Sequence, residues 1–460
     1  MIHLVKQYVL GLSFLLILSA CDSFVEVDLQ KSQLTNIAVF DNYETANAAL
    51  MNIYAKIRDT GMLTGVNTGI SNELGNYTDE IAAYGTASNS SMPFYNNTLL
   101  PTSSIITGYW NSAYNQIYAA NALIEGVENS KGLSVDEKKQ LVGEALFIRA
   151  LAHFYLVGLF GDVPYITVTD YRQNSTVIKT PSNTIYKNIS IDLQNAILPL
   201  SENYSSPERI RPNKLACKAL LARVYLYLKS YAEAANEASA VLNQTGLFSL
   251  EQDLNKVFLI PSKETIWQLQ SVAAGQNTKE ASIFIFLAGP PTTIALNPLL
   301  INSFTIGDLR KTNWIKSVSK GASTWYHAYK YKEQNTTAVS KEYSIVLRLA
   351  EQYLIRAEAR AYQGDLIGAK EDLNKIRNRA GLAQTTASTK EEILNAILQE
   401  RRWEFFTEHG HRFFDLKRFN KLDAELKSVK SGWNSNDSLF PIPQNELSTN
   451  PNLGPQNPGY

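Results

Sequence analysis

The segments "ALLARVYLYLKSYAEAANEASAVL" (Ala219 to Leu242) and "YLIRAEARAYQGDLIGAKEDLNKI" (Tyr353 to Ile376) decide the fold. Each reads as a helix carrying alanines on one face, a tyrosine near its end, a short turn, and a second alanine-bearing helix. Ala222 and Ala357, Tyr227 and Tyr362, and Ala234 and Ala369 are each 135 residues apart. Alanine at matching positions of two paired helices lets their backbones approach closely, so each segment predicts a tightly packed helical hairpin.

That layout is the tetratricopeptide type, here in two copies that are not in tandem. The same three-and-four spacing of apolar residues runs through "NYETANAALMNIYAKI", "WNSAYNQIYAANALIEGV" and "SVDEKKQLVGEALFIRALAHFYLVGLF". Ser134 and Glu137 form a capping-box pattern opening the last of these. The expected fold is mainly α: a tetratricopeptide-like helical scaffold over about 40–60, 108–160, 183–243 and 342–420, with long irregular loops and a few short strands. The irregular stretches are about 61–107, rich in Gly, Ser, Thr and Asn, and about 245–340, where runs such as "TIWQLQS" alternate with loops. Long irregular segments in a compact protein are commonly functional, and the many aromatics in these two favour order.

Composition narrows the function. With 43 basic and 43 acidic residues in 460, the chain carries no net charge and offers no electrostatic footprint for nucleic acid. Most of its 24 tyrosines must pack in the core, but tyrosine in such numbers also suits a surface that binds sugars or peptides. The first twenty residues read as a targeting segment: a short basic start ending at Lys6, an apolar run, then Leu18, Ser19 and Ala20 before Cys21. This is a lipoprotein signal, with Cys21 as the lipidated (palmitate-bearing) mature N-terminus and residues 21–460 as a single domain. Removing the signal leaves 42 basic and 43 acidic residues, so anchoring would rest on lipid and not on a polybasic patch. Cys217, the one remaining thiol of the mature chain, falls in an alanine-rich helical pattern and reads as a small core residue.

The segment "QERRWEFFTEHGHRFFDLKRF" (Gln399 to Phe419) is rich enough in carboxylates and histidines to raise the question of a metal or catalytic site. Glu400, Glu404 and Glu408 recur every four residues on one face, and Leu394, Leu398 and Phe405 on another. His411 and Asp415 could share a metal, but no third ligand stands at helical spacing, and a catalytic zinc needs three protein ligands. The reading is a buried ion-pair network, with Gly410 as a helix C-cap, Glu408 facing Arg412 and Asp415 facing Arg418. No cofactor is implied.

Four motifs in order, after the lipobox cysteine, then carry a resemblance across nearly the whole chain: "EALFIRALAHFYLVGLFGDVPY" (144–165), "RLAEQYLIRAEARAYQGD" (348–365), "ERRWEFFTEHGHRFFDLKRF" (400–419) and "LFPIPQNELSTNPNLGPQNPGY" (439–460). The chain resembles the SusD/RagB family. The resemblance implies a lipid-anchored protein of the Bacteroidota outer membrane and cell surface, a non-enzymatic capture of oligosaccharides, and delivery to a SusC-type TonB-dependent transporter. Asp22, directly after Cys21, departs from this, since in some other bacteria it marks inner-membrane retention.

The resemblance places the glycan site on loops that project from the scaffold, with aromatic side chains in an arc. A neutral oligosaccharide presents apolar C–H faces and a rim of hydroxyls, which aromatic platforms and amides or carboxylates complement. The first irregular stretch supplies Asn72, Asn76, Tyr77, Asp79, Glu80 and Tyr84, and the second Trp314, Trp325 and Tyr326. Two other classes stay open: a glycoside hydrolase using the adjacent Asp79 and Glu80 as its carboxylates, and a protein-binding scaffold.

Overall fold

In the computed structural model, residues 39–460 are described; Cys21 and the signal lie outside them. The first helix, α1 (Tyr43–Asp59), is opened by Asn42, whose side chain accepts from the Thr45 amide. Helix α2 spans Ile70–Tyr77 and α3 Met92–Tyr95, separated by strand β1 (Ile81–Ala83). Two 26-residue helices, α4 (Ser104–Asn129) and α5 (Val135–Phe160), then pack as an antiparallel pair. The Ser134–Glu137 capping box is formed at the start of α5. From Leu141 onward α5 is buried on almost every side, so it is a core helix and not the amphipathic one its spacing suggests.

Helix α6 (Ser182–Ile197) packs on α5, followed by α7 (Lys214–Tyr227) and α8 (Tyr231–Leu242), then α9 (Leu349–Gln363) and α10 (Leu366–Arg379). The two segments quoted first are thus the hairpins α7–α8 and α9–α10. They pack on each other: Ala222, Leu226, Ala234 and Ala238 meet Ile355 and Ala359 in one cluster. Ala357 and Ala369 face each other inside the second hairpin. Tyr362 stacks on Tyr231 at 4.1 Å, while Tyr227 lies against Phe154 and Tyr186. Arg223 of α7 clamps Glu351 of α9 through two hydrogen bonds of 2.7 Å, both groups being buried.

Strands are few and short. β1 pairs antiparallel with β3 (Ile294–Leu296), placing Ile81 opposite Leu296; β2 (Thr265–Leu269) pairs with β6 (Ser344–Arg348). β4 (Ile315–Lys320) and β5 (Ser323–Ala328) form a hairpin with Val318 opposite Trp325. These strands and their loops enclose a second apolar cluster that includes Phe258, Phe304, Trp314, Trp403 and Phe406. Helices α11 (Lys390–Phe405) and α12 (His411–Arg418) join it to the main core.

The segment Gln399 to Phe419 forms the junction between the two cores. Glu404 receives Arg348 and Arg379 at 2.5 Å and Arg310 at 3.0 Å, and Glu408 receives Arg348 and Lys330. All of these side chains are almost completely buried. Burial pushes the Glu404 carboxyl up, but the three guanidinium groups outweigh it and hold the group well below the usual carboxylate range. Asp415 pairs with Arg418, as its spacing suggests, and also with Arg401. Arg412 turns away from Glu408 to Asp79 and Glu425. Gly410, in the left-handed region at φ 73°, caps the start of α12 and not the end of α11. His411 lies on the Phe405 ring with its Nδ1 against Arg401.

Candidate functional site

The first irregular stretch is more ordered than its composition suggests. Asn72, Gly75 and Asn76 sit in α2, every residue of which is buried. A Cβ on Gly75 would stand 2.5 Å from the Ile81 side chain, so glycine permits α2 to lie close against β1.

That packing removes five of the residues expected at the site from the surface. Asn72 donates to the Asn67 carbonyl and to Ser91, and Asn76 to Asn72. Tyr77 donates to the Asp437 carbonyl amid Phe94, Phe413, Trp433 and Phe440. Asp79 lies between Arg402 and Arg412, at 2.6 and 2.9 Å. Burial raises the Asp79 carboxyl, yet Arg412 and Arg402 together bring it below its usual value. Glu80 is buried beside it, pushed up to about 8 first by burial and then by Asp79. Two carboxylates closed inside the protein do not flank a cleft, so this pair cannot serve as the acid and nucleophile of a glycosidase.

Trp314 is corrected in the same way. It is fully buried in the second core, where its indole N–H donates to the Leu254 carbonyl and its ring packs on Phe258 beneath the Lys330 ammonium. An indole fits such a site because its single polar atom finds a partner.

Tyr84, Trp325 and Tyr326 remain partly exposed. Alternation along β5 sends Trp325 and Tyr326 to opposite faces of the hairpin, and Tyr326 packs back toward the second core. Tyr84 directly follows β1, its amide donating to the Thr293 carbonyl at 2.7 Å next to β3, while Asn89 spans the Tyr84 and Thr293 carbonyls. This linkage carries Tyr84 to Trp325. Burial and then the neighbouring Tyr95 raise the Tyr84 phenol above its ordinary value, with the nearby Trp325 indole opposing.

The back of the Trp325 ring rests on Gly289, where a Cβ would stand 2.4 Å from the ring. Glycine lets the peptide lie close against the indole, and the side chain stays partly exposed. The neighbours of Gly289 in the chain include the exposed Pro290 and Leu287, the latter 83% exposed. Tyr95 joins the group from α3 with the Lys430 ammonium 4.1 Å from its ring centroid. Sequence reasoning passed over Tyr95, whose position in "PFYNN" carries no periodic signal. The assembled site is a ledge of Trp325, Tyr84 and Tyr95 with Thr86 and Ser88 hydroxyls on the adjoining turn, 2.7 Å apart. Such a ledge can stack an apolar face of a ligand and hydrogen-bond its rim.

Scaffold and ledge define a class: a helical-repeat protein with a cluster of partly exposed aromatic rings on the segments that project from the scaffold. Residues 303–460 match the SusD family, and residues 26–226 match a family described as starch-binding, associating with outer membrane. SusD-like protein P2 of Formosa agariphila is 28% identical over 424 aligned positions, covering 79% of this chain and 83% of that one. The starch-binding protein SusD of Bacteroides thetaiotaomicron is 35% identical over 123 positions, 25% of this chain and 21% of its own. A laminarin-binding SusD-like protein of known structure superposes with a TM-score of 0.77 at 25% identity, covering 92% of this chain and all of that one. The chain belongs to the SusD/RagB family.

Proposed function

We propose that this protein is a glycan-binding lipoprotein of the outer membrane, anchored through Cys21 at the cell surface, that captures a neutral oligosaccharide on the Trp325–Tyr84–Tyr95 ledge. It delivers the sugar unaltered to a SusC-type TonB-dependent transporter. The observation that carries the reading is the Trp325 ring, seated on Gly289 and beside Tyr84, which stays partly exposed on β5 while Trp314 and Tyr77 pack inward. Family membership, the starch-binding and outer-membrane description of the matched family, and the laminarin-binding relative support it. The lipobox supports the anchor, and the closure of Asp79 and Glu80 inside the fold supports capture over hydrolysis.

The test is calorimetric titration of residues 22–460 with laminarihexaose, maltohexaose, cellohexaose and xylohexaose, followed by recovery of each sugar. Saturable binding of an intact hexaose, weakened about tenfold or more in Trp325→Ala, is expected, because a central aromatic platform dominates such a contact. Shortened sugar in the recovered mixture, or binding indifferent to Trp325, would sink the reading.

A further inference from the structure

Helix α4 has an uncommon outer face. From Ser104 to Ile124 it carries no charged residue, whereas a long surface helix ordinarily turns lysine and glutamate to solvent. Asn111, Tyr114, Asn115 and Tyr118 follow one another at three and four spacing and so line a single stripe. That stripe forms one wall of a cavity of about 530 Å³. The segment from Pro164 to Val177 and the C-terminal segment around Glu446 and Asn450 form the others.

The walls are tied together before any ligand arrives. Tyr114 donates to the Pro164 carbonyl at 2.9 Å, and Asn450 to the Val177 carbonyl at 2.8 Å. Trp110 forms the floor, its ring 5.0 Å from that of Tyr114. The groups that point into the cavity are unengaged. Tyr118 is 53% exposed, Asn111 and Asn115 are exposed, and no described residue hydrogen-bonds the side chains of these three or of Glu446. Beyond Tyr118 the same helix face lines an adjoining cavity of about 510 Å³ that reaches Asn129. At 1.5 Å per residue the groove along Asn111 to Asn129 is about 27 Å long, a length for a chain and not for a single ring.

From this face we infer a second saccharide-binding site, for a neutral oligosaccharide, in the groove between α4 and the C-terminal segment. Tyrosine rings supply platforms for C–H faces, and free amides with one carboxylate supply partners for hydroxyls. Glu446 is the one charged residue lining the first cavity, and Asp41, Glu125 and Lys131 line the second, so carboxylates outnumber the cation along the groove and uronate chains are disfavoured. The groove shares no residue with the Trp325 ledge, and its ligand chemistry is read from α4 alone. It rests on the proposed function only in the choice of sugars to offer.

The test titrates the wild type, Trp325→Ala, Tyr118→Ala/Asn115→Ala and the triple variant, all as residues 22–460, with the four neutral hexaoses and with oligogalacturonate. Both replaced α4 positions are exposed, so melting temperatures should stay at the wild-type value. Trp325→Ala should keep saturable binding of at least one neutral hexaose, and the triple variant should lose at least about tenfold of that residual affinity. Loss in Tyr118→Ala/Asn115→Ala with none in Trp325→Ala would support the groove and remove the ledge. Complete loss in Trp325→Ala alone would overturn the groove and leave the ledge standing. Residual binding identical in Trp325→Ala and the triple variant, oligogalacturonate binding as tight as the hexaoses, or no binding of any sugar by the wild type would each overturn the groove.

Discussion

Gly289 matters because of the side chain it lacks. The Trp325 ring occupies the place a methyl group would take, 2.4 Å from an ideal Cβ, so Gly289→Ala must push the indole off its seat. The loop is on the surface and can move, so melting should change by less than about 1 kcal/mol while hexaose affinity falls nearly as far as in Trp325→Ala. Unchanged affinity in Gly289→Ala would show that the ring need not be held. Glu73 poses the opposite problem. It is buried, one carboxylate oxygen accepts from Ser91, and the other has no partner among the described residues. Burial raises it to about 8, with the Ser91 hydroxyl opposing, from an ordinary 4.5. The folded state therefore holds a proton that the unfolded chain releases between about pH 4.5 and pH 8, and stability falls as pH rises through that window. Glu73→Gln should stabilise the protein by roughly 1–3 kcal/mol at pH 8 and change little at pH 4, as read by urea unfolding at both values. An equal effect at the two pH values would refute this account. Neither residue announces its role in the sequence. Gly289 lies in "AGPP", an ordinary turn signal, and Glu73 looks like one more polar residue in a Gly- and Asn-rich stretch until α2 turns it inward.

At the scale of elements, the periodic segments were legible and the irregular ones were not. Alanine spacing in α7–α8 and α9–α10 announces a close hairpin because the contact lies within about twenty residues of sequence, where helical period alone sets the geometry. The glutamate stripe of α11 was equally visible, but its partners were not. Arg310, Arg348, Arg379 and Lys330 arrive from four other places in the chain, and i,i+4 reasoning pairs Glu408 with Arg412 because it sees only neighbours. The same limit misplaced Asn72, Asn76, Tyr77, Asp79 and Trp314: irregular composition was read as exposure, whereas tertiary packing buried them. Trp325 and Tyr84 were found because two residues bordering turns kept their rings outside. The network itself makes a prediction at this scale. Glu404→Gln removes the one negative charge that three buried guanidinium groups share, and the cost of stranding them is about 3–5 kcal/mol. Urea unfolding at pH 7 measures it, and a loss under about 1 kcal/mol would mean that Glu264, Glu400 and Glu408 compensate. Because the folded-state carboxyl lies well below its usual value, its contribution is complete above about pH 4.3 and is lost only on further acidification, opposite in sense to Glu73.

At the scale of the whole molecule, the segment from Phe440 to Tyr460 joins parts of the chain that the helices leave separate. Phe440 donates its amide to the Leu159 carbonyl at the end of α5, and Asn457 ties the Phe160 and Phe440 carbonyls together. The Phe440 ring sits among Tyr77, Phe94, Phe160 and Phe413, which come from α2, α3, α5 and α12. One side chain thus packs simultaneously on the segment that carries the ledge, the central core helix and the ion-pair junction. If these parts fold as one unit, Phe440→Ala should lower stability by about 3–5 kcal/mol in a single transition, with the ledge and the scaffold lost together. Thermal unfolding followed in parallel by far-ultraviolet circular dichroism, for the helices, and by hexaose binding, for the ledge, decides it. Coincident curves shifted downward are the expected result. Early loss of sugar binding with the helical signal intact would instead mean that α2 and α3 detach on their own, and that the ledge is a separately stabilised layer on an independent helical scaffold.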